Sequence, residues 1–199
     1  AMGNFSRRAV VIGAFILIVF AGYFLGVRRL ISSGPPIEFT EARSRGAAVS
    51  EEIVNLSNEI SRDLEAVSKL DAEGKSWEAL DAIVLLLQKT ADIKQRATGL
   101  SRELEAMTAA LLQVRSREAQ QAAMESITQR MALISRLMSY ADYLTQLSEV
   151  LRKHFTETPT KENVGVIVAQ VNAEITAINN FNNQAAQAMD RFDAIIGAR

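Results

Sequence analysis

The sequence predicts an all-α protein in which a single N-terminal transmembrane helix precedes an elongated antiparallel up-down-up-down four-helix bundle. Three observations carry this. Residues 9–27, AVVIGAFILIVFAGYFLGV, run for 19 positions without a charge. Beyond residue 37, apolar residues recur at three- and four-residue spacing, the period of a helix with one buried face. Helix breakers are scarce there, with Pro159 the only proline and glycine confined to Gly46, Gly74, Gly99, Gly165 and Gly197.

At about 1.5 Å per residue, a helix over residues 9–27 is long enough to cross the hydrocarbon core of a bilayer. Arg7 and Arg8 precede it and Arg28 and Arg29 follow it. A cleaved signal peptide would have a shorter apolar core ending in small residues, whereas Phe20, Tyr23 and Phe24 stand here, so the segment reads as an uncleaved anchor over 9–31 behind a tail of residues 1–8. Phe5, Tyr23 and Phe24 suit the two membrane interfaces. Gly22 and Gly26 have the small-xxx-small spacing that lets membrane helices approach closely, predicting a helix contact through which the chain could also self-associate. Arg28, Arg29, Arg43 and Arg45 outnumber Arg7 and Arg8, which leans the bundle towards the cytoplasmic face while leaving its side open. The chain has no cysteine, so disulfide chemistry does not choose a compartment.

A linker over 32–37 follows, where Gly34, Pro35 and Pro36 cannot continue a helix. The bundle is expected over 38–199. Its first helix, about 40–72, buries Val49, Ile53, Leu56, Ile60, Leu64, Val67 and Leu70 and stops at Gly74. The second, about 76–114, starts at Ser76 with Glu78 in its first turn. It carries Trp77, Leu80, Val84, Leu87 and Ala91, then Ala97, Leu100, Leu104, Met107, Leu111 and Val114. Continued in that register, the core would next receive Glu118, Gln121, Glu125 and Thr128; the apolar phase instead shifts by two to Ala123, Ile127, Met131, Ile134, Met138, Ala141, Leu144, Leu147, Leu151 and Phe155. The shift predicts a turn near 114–120 and a third helix over about 118–156, with one helix of about eighty residues bearing a stutter as the alternative. Arg152, Lys153 and His154 suit the negative end of the third helix. Thr158 and Pro159 read as N-cap and first position of a fourth, 159–197, striped with Val164, Ile167, Val168, Val171, Ile175, Ile178, Phe181, Ala185, Met189, Phe192 and Ile196.

Four of the 22 Lys and Arg residues flank the anchor and none of the 23 Asp and Glu does, so the bundle carries a net charge near −5. That surface has no basic footprint for nucleic acid. Metal sites in helical bundles use inward glutamates with Glu-x-x-His pairs, yet His154 is the only histidine and Glu149, the glutamate before it, is five positions away, so no metal is expected. Without cysteine, a glycine-rich phosphate loop or a Gly-x-Ser-x-Gly elbow, the chain offers no catalytic residues or cofactor cradle and reads as a non-enzyme.

One compositional anomaly points to function. Between Asn163 and Met189 the only charged residue is Glu174, and the polar side is made of amides. Asparagine is a mediocre helix former, so an amide-rich face costs helix stability that a Lys- and Glu-rich face would not. Asn172, Asn179, Asn180, Asn183 and Gln187 are therefore the candidate partner surface, with a solvated stripe or a buried, register-setting asparagine as the plainer readings. Val84, Leu85, Leu86 and Leu87 are apolar all round, which predicts deep burial, with an additional contact outside the bundle as the alternative. Met131, Met138, Tyr140 and Tyr143 also read as core, although their spread over more than one face leaves an aromatic and methionine contact patch as the alternative.

An N-terminal membrane helix followed by a helical bundle of about 160 residues resembles the ligand-binding regions of bacterial chemoreceptors and related sensors. That resemblance implies a small molecule bound between helices. The missing second span, the missing output domain and the proline linker favour the other expectation, a single-pass membrane scaffold or adaptor subunit that binds proteins through its bundle.

Overall fold

The computed structural model describes residues 34–158 and 162–197. The anchor segment with Gly22 and Gly26, and Pro159, lie outside the described residues. No helix among the described residues is long and apolar enough to cross a membrane. Four helices account for nearly all of them: α1 (Ile37–Ala72), α2 (Ser76–Ala110), α3 (Arg117–Phe155) and α4 (Val164–Gly197). The described residues contain no strand.

Backbones approach most closely within the pairs α3–α4 and α1–α2, then between α2 and α3. Side chains close the remaining side. The Arg43 guanidinium on α1 grips both carboxylate oxygens of Asp193 on α4, at 2.7 and 2.8 Å, and the Phe39 and Phe192 rings stack with centroids 5.0 Å apart. The first turn of α1 therefore lies beside the last turns of α4, and all helices alternate in direction.

The turns follow from local chemistry. Helix α1 ends with Gly74 in the left-handed region at φ 71°, Lys75 N–H donating to Leu70 O at 2.9 Å and Gly74 N–H to Asp71 O at 3.0 Å. This is the Schellman arrangement, which glycine adopts without steric cost. Helix α3 ends the same way with Glu157 at φ 52°, Thr158 N–H reaching Lys153 O and Glu157 N–H reaching His154 O.

The span 76–156 is two helices. After Ala110 a 3₁₀ turn, Leu111–Gln113, leads into the start of α3, where the Ser116 hydroxyl accepts from Ala119 N–H. The Gln120 amide donates to the carbonyls of Leu111 and Val114 at 3.1 and 2.8 Å. Polar side chains thus satisfy two carbonyls after α2 and one N–H at the start of α3, and the turn forms with neither glycine nor proline.

Three expectations need correction. The first half of the α2 stripe is out of phase: Trp77, Val84 and Ala91 face solvent, and the core takes Ala79, Ile83, Leu86, Thr90 and Ile93. Of the run 84–87 only Leu86 is fully buried, while Val84 and Leu85 are half exposed, because four consecutive apolar residues fit two registers and packing against α1 and α3 selects one. On α3 the exposed positions Met131 and Met138 yield the core to Arg130, Leu133, Leu137 and Tyr140. Helix α4 begins at Val164, not at Pro159: the Asn163 side-chain oxygen accepts from Gly165 N–H at 2.8 Å, and Thr158 instead helps close the end of α3.

Candidate functional site

The interior divides into two apolar clusters. One holds Ile53, Ile60, Leu86, Leu100, Leu137, Leu144 and Ile175; the other holds Phe39, Leu104, Met107, Ile127, Met189 and Phe192. Between them in sequence on α1, α3 and α4 stand buried polar side chains, Ser50, Arg130 and Asn182, the last two both engaged in polar interactions. One turn further along α3 and α4, the buried Ser126 hydroxyl donates to the carbonyl of Ala185 at 2.8 Å, tying the two helices together. Buried polar groups of this kind penalise every shifted pairing, since a slip leaves them unsatisfied in an apolar layer.

Tyr140 is the largest of the fully buried side chains. Burial pushes its hydroxyl pKa up to about 12, with the Ser57 hydroxyl acting against the rise, and no hydrogen bond of regular geometry satisfies the phenol oxygen. It lines a cavity of about 20 Å³ on the α1–α4 side with Ser57 and Asn179, enough for one water molecule.

Outside the core, two helices carry uncharged stripes. On α4, the exposed residues between 164 and 189 are Val166, Ala169, Ala173, Thr176, Asn180, Asn183 and Gln187. Their spacing alternates three and four, and none is charged. The stripe is about 30 Å long. Of the expected partner residues, Asn180, Asn183 and Gln187 belong to it, whereas Asn172 and Asn179 are half-buried at its edges. Asn182 points inward, so surface amides and a buried asparagine coexist on one helix. Glu174, the single charge, is buried with one oxygen 3.6 Å from the Arg136 guanidinium.

Of the second stripe, sequence reasoning marked only Met131 and Met138, as part of a contact patch set below the core reading. Met124, Thr128, Met131, Ser135 and Met138 are all exposed along α3, again at heptad spacing. The signal was the seven-residue repeat of methionine, hidden because methionine was counted as core. Exposed, flexible methionines suit adaptable protein contacts.

Elsewhere the chemistry is sparse. Among the described residues no group of three or more His, Cys, Asp or Glu could hold a metal ion. His154 lies at the end of the bundle opposite Phe39, its Nε2 3.3 Å from Asp71 Oδ1. Ion pairs such as Lys89 with Asp63 and Glu59, and Arg96 with Glu52, run along the outer α1–α2 seam, where they lace helices together without converging on a cleft. Comparison of the chain with protein families, with curated proteins and with solved structures finds no match in any of the three.

Proposed function

We propose that this chain is a non-enzymatic, single-pass membrane scaffold or adaptor subunit whose bundle binds a partner protein along the exposed face of α4. The observation that carries the reading is the α4 stripe: seven consecutive exposed positions at heptad spacing without one charge. Solvated helix faces favour Lys and Glu, whereas a face depleted of charge and lined by small side chains matches the centre of a helix-packing interface. Ala169, Ala173 and Thr176 permit close approach of a partner helix, and Asn180, Asn183 and Gln187 offer it hydrogen bonds. The uncharged segment at residues 9–27 supports attachment to a membrane.

The sensor alternative needs a ligand-sized space between helices. The cavity beside Tyr140 has room for a water molecule and not for an organic ligand, and the larger hollow of about 710 Å³ beside the α2–α3 turn lies open to solvent instead of closed between helices. The test is capture of the full chain, tagged at its C-terminus, from gently solubilised membranes. A companion in fixed stoichiometry should be retained by the native chain and lost by the double variant Asn180→Lys/Asn183→Lys, with helicity and melting unchanged. Equal recovery from both would overturn the α4 assignment.

A further inference from the structure

The end of the bundle that receives the chain from the anchor segment is built from the start of α1, the α2–α3 turn and the last turn of α4. Nine residues, 28–36, separate the uncharged segment from Ile37, and even fully extended they reach about 30 Å. On the reading that residues 9–27 span a bilayer, this end face is therefore tethered within about 30 Å of the lipid surface, nearer than the opposite end of the bundle can come with the helices upright. Its composition fits that neighbour. Leu112 is 88 % exposed at the tip of the α2–α3 turn and Ile37 is 73 % exposed where the chain enters. Along the turn side chains alternate inward and outward: Leu111, Val114 and Ser116 are buried, and Leu112, Gln113, Arg115 and Arg117 face solvent. Residues 111–117 carry positive charge only, and the exposed Glu118 and Glu38 stand beside them at the same end.

The turn is also pinned by hydrogen bonds. The two hydrogen bonds from Gln120 and the cap by Ser116 fix the backbone on both sides of Leu112, so its exposure is set by structure and not by fraying. Beside it opens a broad hollow lined by Ala109, Leu112, Arg117, Gln121 and Met124. An apolar tip flanked by two arginines is the pattern of a surface that settles at a membrane interface, the apolar group among acyl-chain ends and the cations against lipid phosphates.

We propose that the α2–α3 turn is a membrane-docking element, with Leu112 entering the interface and Arg115 and Arg117 binding anionic headgroups. The bundle is thereby seated on the lipid surface with the α4 and α3 stripes running away from it. The proposal rests on the membrane-anchor reading, and the experiment separates the two.

The chain lacks cysteine, so single nitroxide labels can be placed at Leu112→Cys, Leu85→Cys and Phe15→Cys in the full chain within bilayers of phosphatidylcholine and phosphatidylglycerol. Collision with oxygen, which concentrates in lipid, is compared with collision with a water-soluble nickel chelate. The expected result is lipid-like behaviour at Phe15 and an oxygen-to-nickel ratio at Leu112 several-fold above that at Leu85. Adding Arg115→Glu/Arg117→Glu should return the Leu112 ratio towards the Leu85 value. A lipid-like Phe15 with Leu112 indistinguishable from Leu85 would overturn the docking proposal and leave the anchor intact. A water-exposed Phe15 would overturn both. A Leu112 ratio unmoved by the charge reversal would overturn the headgroup role of the arginines.

Discussion

Raising the pH through the tyrosine range should unfold the bundle in a way that traces to one hydroxyl. Burial holds the Tyr140 pKa at about 12 in the folded chain, against about 10 when the chain is unfolded and the phenol is hydrated. The folded state therefore keeps a proton that the unfolded state releases. The contribution of the neutral phenol is fully present below about pH 10 and is lost as pH rises from there to about 12, two units that amount to on the order of 2–3 kcal/mol. Lys89 titrates in the same direction, because its hydrogen bond to Asp63, and next that to Glu59, raise its pKa against the opposing effect of burial. Its loss is common to native protein and Tyr140→Phe, so the difference between their stability curves isolates Tyr140. At neutral pH that variant should lie within about 1 kcal/mol of the native protein, or be more stable, since it removes a buried oxygen without a regular hydrogen bond and leaves the ring packed. Urea unfolding followed by circular dichroism at a series of pH values measures both curves. Parallel decline of the two above pH 10 would refute the argument, as would a Tyr140→Phe variant destabilised by several kcal/mol at neutral pH, which would mean that the hydroxyl is well bonded.

Other consequences can be tested on the same footing. Gly74→Ala, at φ 71° with no neighbouring atom within 4 Å, should cost about 1 kcal/mol in unfolding free energy through backbone strain alone. Glu157→Gly, relieving the left-handed residue that ends α3, should add about as much. Asp193→Ala should destabilise by about 1–3 kcal/mol, because it takes away the two-pronged partner of the largely buried Arg43 at the α1–α4 junction; a loss below a few tenths would show that the pair contributes nothing net. Replacing Met131 and Met138 together by Gln should leave the melting temperature within about 2 °C, since both are surface residues, whereas Leu137→Ala should cost about 2–5 kcal/mol.

How far the fold could be read in advance differs from helix to helix, and the cause lies in how strongly each apolar pattern fixes a phase. Helix α4 has isolated apolar residues at Val171, Ile175 and Ile178, so one register suits it and the inward face was legible. Helix α2 opens with the continuous run 84–87, which suits two registers, and the placement of Leu86 inward emerged only from its neighbours. On α3 the three-four spacing of Met131, Ile134 and Met138 mimicked a core stripe, yet over this stretch the true stripe lies one position earlier, at Arg130, Leu133 and Leu137, and no hydrophobic pattern would choose Arg130. The candidate partner face was legible as composition, since the scarcity of charge between 163 and 189 is visible without coordinates. Which amides face out was not, because Asn182 and Asn183 are adjacent in sequence and opposite in environment.

What the sequence determined by itself is local or periodic: the helical character of the chain beyond residue 37, the stop at Gly74, the shift of apolar phase between Val114 and Ala123, which the structure resolves as a turn and not a stutter, and an uncharged stretch long enough for a bilayer. These follow from backbone sterics and from the spacing of apolar side chains, which act over a few residues. The tertiary structure decided what depends on distant neighbours: the phase of α2, the burial of Arg130 and Tyr140, the outward methionines, and the meeting of the α2–α3 turn with the start of α1 at one end. Such contacts join residues as distant in sequence as Arg43 and Asp193, 150 positions apart, and their energies belong to the packed assembly of helices and not to any one segment.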